Sequence, residues 1–286
     1  MKKHLLSFGH GYTAKVLTKK LLPQGWQITG TTRDPKKIDP LCRTGISAVL
    51  WGDPKLDKAF ETANAFLVSV SPQEDGDPVF IRFGDEIRKR SPELLWFGYL
   101  STSGVYGDFG GNWVHEETKP APTTKRGKMR LLAEHQWQSI DNLPLHIFRL
   151  AGIYGPGRGP FSKVRSGKAK RIVKDGQVFS RIHVEDIVQV LTASLESPSA
   201  GQIYNLSDDE PAPPQDVIAY AAHLLGLPFP PLVRFEDAEM SAMTRSFYSE
   251  NKRLRNERIK TQLGIVLKYP NYRKGLQAIL KNESTY

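Results

Sequence analysis

The chain is poor in sulfur and in long apolar runs. A single cysteine, Cys42, stands among 286 residues. A lone thiol can build neither an intramolecular disulfide framework nor a thiolate-rich zinc site, so no metal is expected and a reducing cytoplasm is the expected setting. No stretch approaches the roughly 18 apolar residues that a membrane helix needs. The longest evident run, Ala65 to Val70, has the length of a buried strand. Near the amino terminus, Leu5 to Phe8 is cut short by Gly9 and His10, too brief for the apolar segment of a secretory signal. A membrane partner is therefore not expected.

What is present is an excess of positive charge. Forty Lys and Arg against 30 Asp and Glu leave a formal charge of +10, a balance that attracts anions in general. The charge is dispersed except at Lys163, Arg165, Lys168, Lys170, Arg171 and Lys174. A solvated loop face and a pocket for an anionic small molecule both suit that segment. Nucleic acid ranks last, because no zinc-finger or RNP spacing accompanies it.

The length allows about two domains or one enlarged one. In the first half, short apolar runs alternate with longer mixed segments. Strands are expected at 3–8, 27–32, 48–50, 65–70, 94–100 and 145–149, and helices at 13–22, 78–90 and 127–140. Near-continuous apolar strands alternating with helices indicate βαβ units and a parallel sheet covered on both faces. The fold class is α/β, a Rossmann-type doubly wound parallel sheet with a smaller mixed C-terminal substrate lobe. Glycines and prolines crowd residues 152–160, read as a loop. Helices are expected beyond it near 184–195, 215–225 and 272–280, with a strand at 202–206. These divisions give a dinucleotide-binding domain over 1–156, with 182–206 packing back onto it, and a substrate lobe from 157–181 and 207–286.

Gly9-His-Gly-Tyr-Thr-Ala14 comes after the first strand and opens the first helix. It fits G-x-G-x-x-G/A, the dinucleotide fingerprint. Gly9 permits the tight turn, and Gly11 lets backbone approach a pyrophosphate. Tyr12 begins the helix, and Ala14 is small enough for close helix–strand packing. Unpaired N–H groups at the helix start then hold the phosphates. A turn without ligand is the competing explanation. An NAD binder places Asp or Glu at the end of the second strand. Here the segment reads Gly30-Thr-Thr32-Arg33-Asp34. Thr32 cannot repel a 2′-phosphate, Arg33 can pair with one, and Asp34 caps the next helix. NADP is expected over NAD, with Arg33 as a plain surface residue the alternative.

After the fifth strand comes Leu100-Ser-Thr-Ser-Gly-Val-Tyr-Gly107, a hydroxyl cluster at the strand end where open α/β sheets bind ligands. Together with Gly9–Ala14, Arg149–Pro156, Ile182–Ile187 and Tyr204-Asn205, this resembles the extended short-chain dehydrogenase/reductase family, of the NAD-dependent epimerase/dehydratase kind. The resemblance spans roughly residues 3–206. It implies that Thr102 contacts the substrate's reacting oxygen, with Ser103 close by. It also calls for Tyr-x-x-x-Lys about 25 residues on, and there the sequence departs: the nearest match is Thr124-x-x-x-Lys128. Lys128 is the candidate for the nicotinamide ribose. A threonine hydroxyl cannot replace a phenol as acid or base near neutral pH. Tyr106 and Tyr154 are phenols that could substitute, although both sit in motifs whose usual role is packing.

The same resemblance places Asp53 near the adenine and Ser71 along the cofactor ribose; Tyr154 is a substrate-side candidate, and Arg158 is another because its guanidinium can hold a diphosphate by bidentate bonds. A turn before Pro54 explains Asp53 nearly as well. His115 could titrate at a pocket mouth or lie in a solvated loop, and His183 reads as structural. The implied function is an atypical NADP-binding short-chain dehydrogenase/reductase. It would be an oxidoreductase or epimerase-like enzyme acting on an anionic, phosphorylated or nucleotide-linked metabolite. The rival is a non-catalytic NADP-binding redox sensor. The chain is expected as a monomer or a homodimer.

Overall fold

The computed structural model describes residues 3–283. Along the chain the elements are β1 His4–Phe8, α1 Tyr12–Leu21, β2 Gln27–Thr32, α2 Ile38–Cys42, β3 Ser47–Leu50, α3 Pro54–Thr62, β4 Ala65–Val68, α4 Pro78–Arg90, β5 Trp96–Thr102 and β6 Trp113–Val114. Then come α5 Lys125–Gln138, β7 Leu145–Leu150, β8 Gly152–Tyr154, α6 Phe161–Arg165, β9 Arg171–Val173, β10 Arg181–His183, α7 Val184–Glu196 and β11 Gln202–Leu206. The last are α8 Pro214–Leu224, β12 Leu232–Arg234, α9 Ala242–Phe247, β13 Arg253–Leu254, α10 Glu257–Leu263 and α11 Tyr272–Glu283.

Seven strands form one sheet in the order β11-β7-β5-β4-β1-β2-β3. β1 pairs in parallel with both β2 and β4, β2 with β3, and β4 with β5. The chain starts in the middle, runs outward to β3, returns to β4 and runs outward the other way. The reversal lies between β1 and β4, the switch point at which doubly wound sheets bind ligands beyond the strands' carboxyl ends. The expected α/β Rossmann-type sheet is the fold observed.

The chain forms two compact units. The first takes the residues up to Thr102, Lys128–Arg149 and Ile187–Tyr204. Every residue of β1, β4 and β7 is buried, as strands covered on both faces require. α1 supplies Ala14, Leu17, Thr18 and Leu21 to the interior, the spacing of one helical stripe. Phe60 stacks on Phe83 with centroids 4.6 Å apart, and Phe66 lies 5.3 Å from Phe60. α4 begins as its sequence prescribes: Pro78 occupies the first turn, and Asp77 caps it by accepting from the Val79 and Phe80 amides.

The second unit takes Ser103–Gly127, Leu150–Asp186 and the residues from Asn205 onward. Its core joins Tyr154, Phe161, Val164, Ala221, Tyr272 and Leu276. Residues 103–127 group here, whereas the sequence pattern assigns them to the first domain. The expected loop at 152–160 contains a strand: β8 pairs with β10, Tyr154 opposite His183. Gly152 and Gly155 hide the β-forming Ile153 and Tyr154 between them. The basic segment is also more ordered than a solvated loop, holding α6 and β9. Arg165 pairs with Glu283 at 2.6 Å, Arg171 Nε donates to the Pro230 carbonyl at 2.7 Å, and Lys174 donates to the Tyr248 carbonyl.

Candidate cofactor-binding and active site

The glycine loop leaves β1 through Gly9, whose φ is +73°. A Cβ at Gly9 would stand 2.9 Å from Val70 Cγ1, so both backbone angle and space demand glycine. The amides of the turn are internally used. Gly9 N–H donates to Thr31 Oγ1, His10 N–H to the Thr31 carbonyl, and Gly11 N–H to the Gly9 carbonyl. Ser69 closes the other side, donating from Oγ to the Phe8 and Gly9 carbonyls at 3.0 and 2.7 Å. Sequence position alone points instead to Ser71, which is exposed two residues further on.

Gly11 differs from Gly9. It is the N-cap of α1, with φ −98°, no side-chain cap and no acidic residue in the first turn. A Cβ there would meet nothing nearer than the Gly9 carbonyl oxygen at 3.6 Å. The start of this ten-residue helix thus has amides without intrahelical acceptors, a dipole that favours negative charge, and open space where a side chain would stand. Tyr12 is half-buried and Ala14 fully buried. These features fit a dinucleotide's diphosphate. His10 packs its ring against Gly30, where a Cβ would be 2.7 Å away. Burial, with Lys15 adding, drives its pKa down to about 4, so the imidazole is neutral at pH 7.

At the end of β2, Thr32 Oγ1 accepts from the Asp34 amide, and Asp34 in turn accepts from the Lys36 amide. Arg33 is exposed and has no hydrogen-bond or ion-pair partner among the described residues. Asp53 caps α3, its Oδ1 accepting from the Lys55 amide at 2.8 Å. That oxygen is committed to the helix, which is the structural duty the Asp53-Pro54 pair offered.

The end of β5 is held from beneath by α5. Arg130 Nη1 donates to the carbonyls of Val70 (3.2 Å) and Leu100 (2.9 Å) and to the Tyr99 hydroxyl (3.1 Å). Ser101 donates to Glu134, which receives Arg149 Nη2 at 2.7 Å. Thr102 emerges half-buried beyond this anchored residue. Asp77 accepts no bond on Oδ2, and burial pushes its pKa up to about 6. Lys128 is exposed. Two residues along a helix are about 200° apart around its axis, so Lys128 and Arg130 face opposite ways. The basic side chain that α5 delivers to the strand ends is Arg130. Its i, i+4, i+7 register with Glu134 and Trp137 is the sequence signal that marks it.

In the second unit, Ser103 and Gly104 are half-buried and begin a short turn. A Cβ on Gly127 would lie 2.6 Å from the Gly104 carbonyl oxygen, so the start of α5 rests on that turn. Thr124 Oγ1 accepts from the Gly127 amide at 3.2 Å, the duty of a helix-start hydroxyl. Tyr106 is fully buried and donates to Asn205 Oδ1 at 2.7 Å. Tyr154 is 7% exposed. Its ring meets His183 edge-on, its hydroxyl donates to the Asn271 carbonyl, and burial pushes its pKa far up. It packs where substrate contact was expected, because β8 turns it inward against α11. His183 is buried, held neutral by a pKa near 4. Arg158 and His115 are exposed.

Among the described residues, no group of three or more His, Cys, Asp or Glu is placed to hold a metal ion, and no helix is long and apolar enough to cross a membrane. Residues 82–207 match the model of the NAD dependent epimerase/dehydratase family. A functionally unknown conserved protein from Silicibacter pomeroyi superposes with TM-score 0.94 at 56% identity, over 98% of this chain and 99% of that one. Protein YeeZ of Escherichia coli K12 is 27% identical over 94% of this chain and 97% of its own. Human epimerase family protein SDR39U1, solved with NADPH, shares the fold at TM-score 0.75 and 16% identity, covering 98% of this chain and all of that one.

Proposed function

From a chain that belongs, through residues 82–207, to the NAD dependent epimerase/dehydratase family, we propose an NADP-dependent oxidoreductase or epimerase-like enzyme acting on an anionic metabolite. The observation that carries this reading is the uncapped start of α1 behind Gly11, with its open space. Arg33, exposed at the end of β2, supports NADP over NAD, since a guanidinium matches a phosphate with paired hydrogen bonds. The nicotinamide supplies hydride chemistry when bound. Thr102 orients the reacting oxygen at the end of β5. Arg130, fixed by the ends of β4 and β5, takes the cofactor-side role for which Lys128 is the sequence candidate. Positive charge on the chain draws in an anionic substrate. The single cysteine, exposed at position 42, supports a reducing cytoplasm as the address. The active form is a monomer or homodimer.

A non-catalytic NADP sensor is favoured by one feature: the phenols near the family motifs are committed. Tyr106 is bound to Asn205, Tyr154 is in the core, and Thr124 caps its own helix. Two measurements separate the readings. Fluorescence titration with NADPH and NADH tests binding, and NADPH oxidation across carbonyl and sugar-nucleotide substrates tests turnover. Tight NADPH binding with no turnover on any substrate favours the sensor; no binding of either coenzyme refutes both.

A further inference from the structure

In the second unit, residues 122–127 run beside the segment after α9. Thr123 Oγ1 donates to Glu250 Oε1 at 3.0 Å, and Lys252 Nζ reaches both the Gly107 carbonyl and Glu250. Gly127 rests on Gly104 at the other end. Arg126 lies between these ties, its guanidinium carbon 5.8 Å from the centre of the Phe247 ring.

The surroundings are rich in rings and cations. Tyr248 joins Phe179 and Phe235, with centroids 5.3 and 5.2 Å away. The cations here are mostly spent. Lys174 donates to the Tyr248 carbonyl and Arg245 to the Ala238 carbonyl. Arg126 is exposed and, among the described residues, has neither an acceptor for its N–H groups nor a carboxylate partner. Phe247 is 54% exposed and Met243 61% exposed. Four residues apart on α9, they share one face. An exposed ring, a soft apolar neighbour and an uncommitted guanidinium therefore stand together beside the Ser103–Gly104 turn.

We propose that Arg126 and Phe247 form the substrate-recognising clasp, and that it takes a planar aromatic ring carrying an anionic group. The ring packs on Phe247 and Met243, and the anion takes the fork of Arg126. A guanidinium holds a carboxylate or phosphate through two parallel bonds, and a ring face beside it adds a stacking surface. The recognition is specific, because Arg126 bonds no acceptor among the described residues, whereas Lys174 and Arg245 each donate to a backbone carbonyl and Lys252 pairs with Glu250. This assignment rests on the enzyme reading above, in which Thr102, the residue before Ser103, orients the reacting oxygen.

The test is equilibrium binding to the full chain, with 4-carboxybenzaldehyde as the ring-plus-anion probe, 4-formylbenzamide as its neutral twin, and uridine monophosphate as a nucleotide source of the same chemistry. The carboxylate should bind at least tenfold tighter than the amide. Arg126→Met and Phe247→Ala should each weaken it about tenfold, the scale of losing a hydrogen bond to a charged group or a stacked ring. NADPH affinity and melting temperature should stay unchanged, because both side chains are exposed. If uridine monophosphate binds instead and depends on both residues, the clasp stands with a nucleotide as its ligand. Equal affinity for acid and amide with no binding of uridine monophosphate that depends on both residues, or an Arg126→Met variant that binds every probe like the parent, overturns it. Loss of NADPH binding in the parent refutes the cofactor reading and leaves the clasp to be judged on the probes.

Discussion

Arg149, in β7, holds the Glu134 carboxylate of α5 through Nε and Nη2, and both side chains are closed off from solvent. The pair ties the helix that carries Arg130 to the strand end that carries Thr102, because Ser101 donates to the same carboxylate. Removing one member leaves the other as an uncompensated buried charge, which costs about 3–5 kcal/mol. Glu134→Gln or Arg149→Met is expected to lower stability by that amount in chemical denaturation. A change below about 1 kcal/mol would show the pair to be solvated. The double replacement by apolar residues should recover much of the loss, since the desolvation cost goes with both charges.

Coenzyme preference should reside in Arg33. Its side chain engages nothing in the protein among the described residues, so replacing it removes a ligand contact without breaking a structural one. Arg33→Ser should weaken NADPH about 10- to 100-fold, the scale of a charge-assisted hydrogen bond. NADH affinity should hardly move. Titrations that weaken both coenzymes equally would assign Arg33 a role away from the 2′-phosphate.

Arg130 makes a sharper prediction because it has both a structural and a proposed ligand role. Its Nη1 is taken by Val70, Leu100 and Tyr99. Nε and Nη2 bond no acceptor among the described residues. Arg130→Lys keeps the charge and loses the fork. NADPH affinity should fall about tenfold while 2′,5′-ADP, which lacks the nicotinamide side, binds as before. An equal loss for both compounds would mark the residue as purely structural.

His146 fixes its own tautomer. Nδ1 donates to the Pro144 carbonyl at 3.0 Å, and Nε2 accepts from the Ser199 amide at 3.1 Å. A proton on Nε2 would abolish the second bond, and burial drives the pKa down to about 4. The folded state therefore prefers the neutral ring. Its stabilising contribution is complete above the unfolded value near 6.5 and is lost as pH falls toward 4, about 3 kcal/mol in all. Asp77 and Asp186, pushed up to about 6, act in the opposite sense and gain stability as pH falls through that range. His10 and His183, also held near 4, lose stability in the same sense as His146, so the contribution of His146 is read from its variant. His146→Gln should lose about 2 kcal/mol less stability than the parent between pH 7 and pH 4.5. An NMR titration of His146 with a midpoint near 6.5 would refute the assignment.

The central sheet is legible in the sequence because its signal is local. β1, β2 and α4 arise from apolar runs, a glycine fingerprint and a Pro-started helix, each contained within a dozen residues. Helix α5 is harder. Thr124 and Lys128 have the right spacing for a family motif, but spacing along the chain does not say which side of a helix faces the strands. That is decided by Glu134 and Trp137 entering the core, and it selects Arg130. Tyr154 and β8 are obscured for a related reason: their pairing partner, β10, is nearly thirty residues away. Arg126 and Phe247 lie further apart still, and no periodicity joins them.

The two glycines of the fingerprint should behave differently under the same substitution. At Gly9, φ is +73° and a Cβ would crowd Val70. Gly9→Ala then costs about 1–2 kcal/mol for the left-handed backbone alone, and more for the contact. At Gly11, φ is −98° and ψ −153°, extended backbone that alanine accepts, with space around it. Gly11→Ala should leave the melting temperature unchanged or slightly raised, because alanine restricts the unfolded chain. Its methyl group nevertheless occupies the space assigned to the diphosphate. Calorimetric titration should show NADPH affinity reduced at least a hundredfold in Gly11→Ala, in a protein as stable as the parent. If Gly11→Ala binds NADPH normally, the diphosphate does not approach α1 at Gly11, and the cofactor assignment loses its main support.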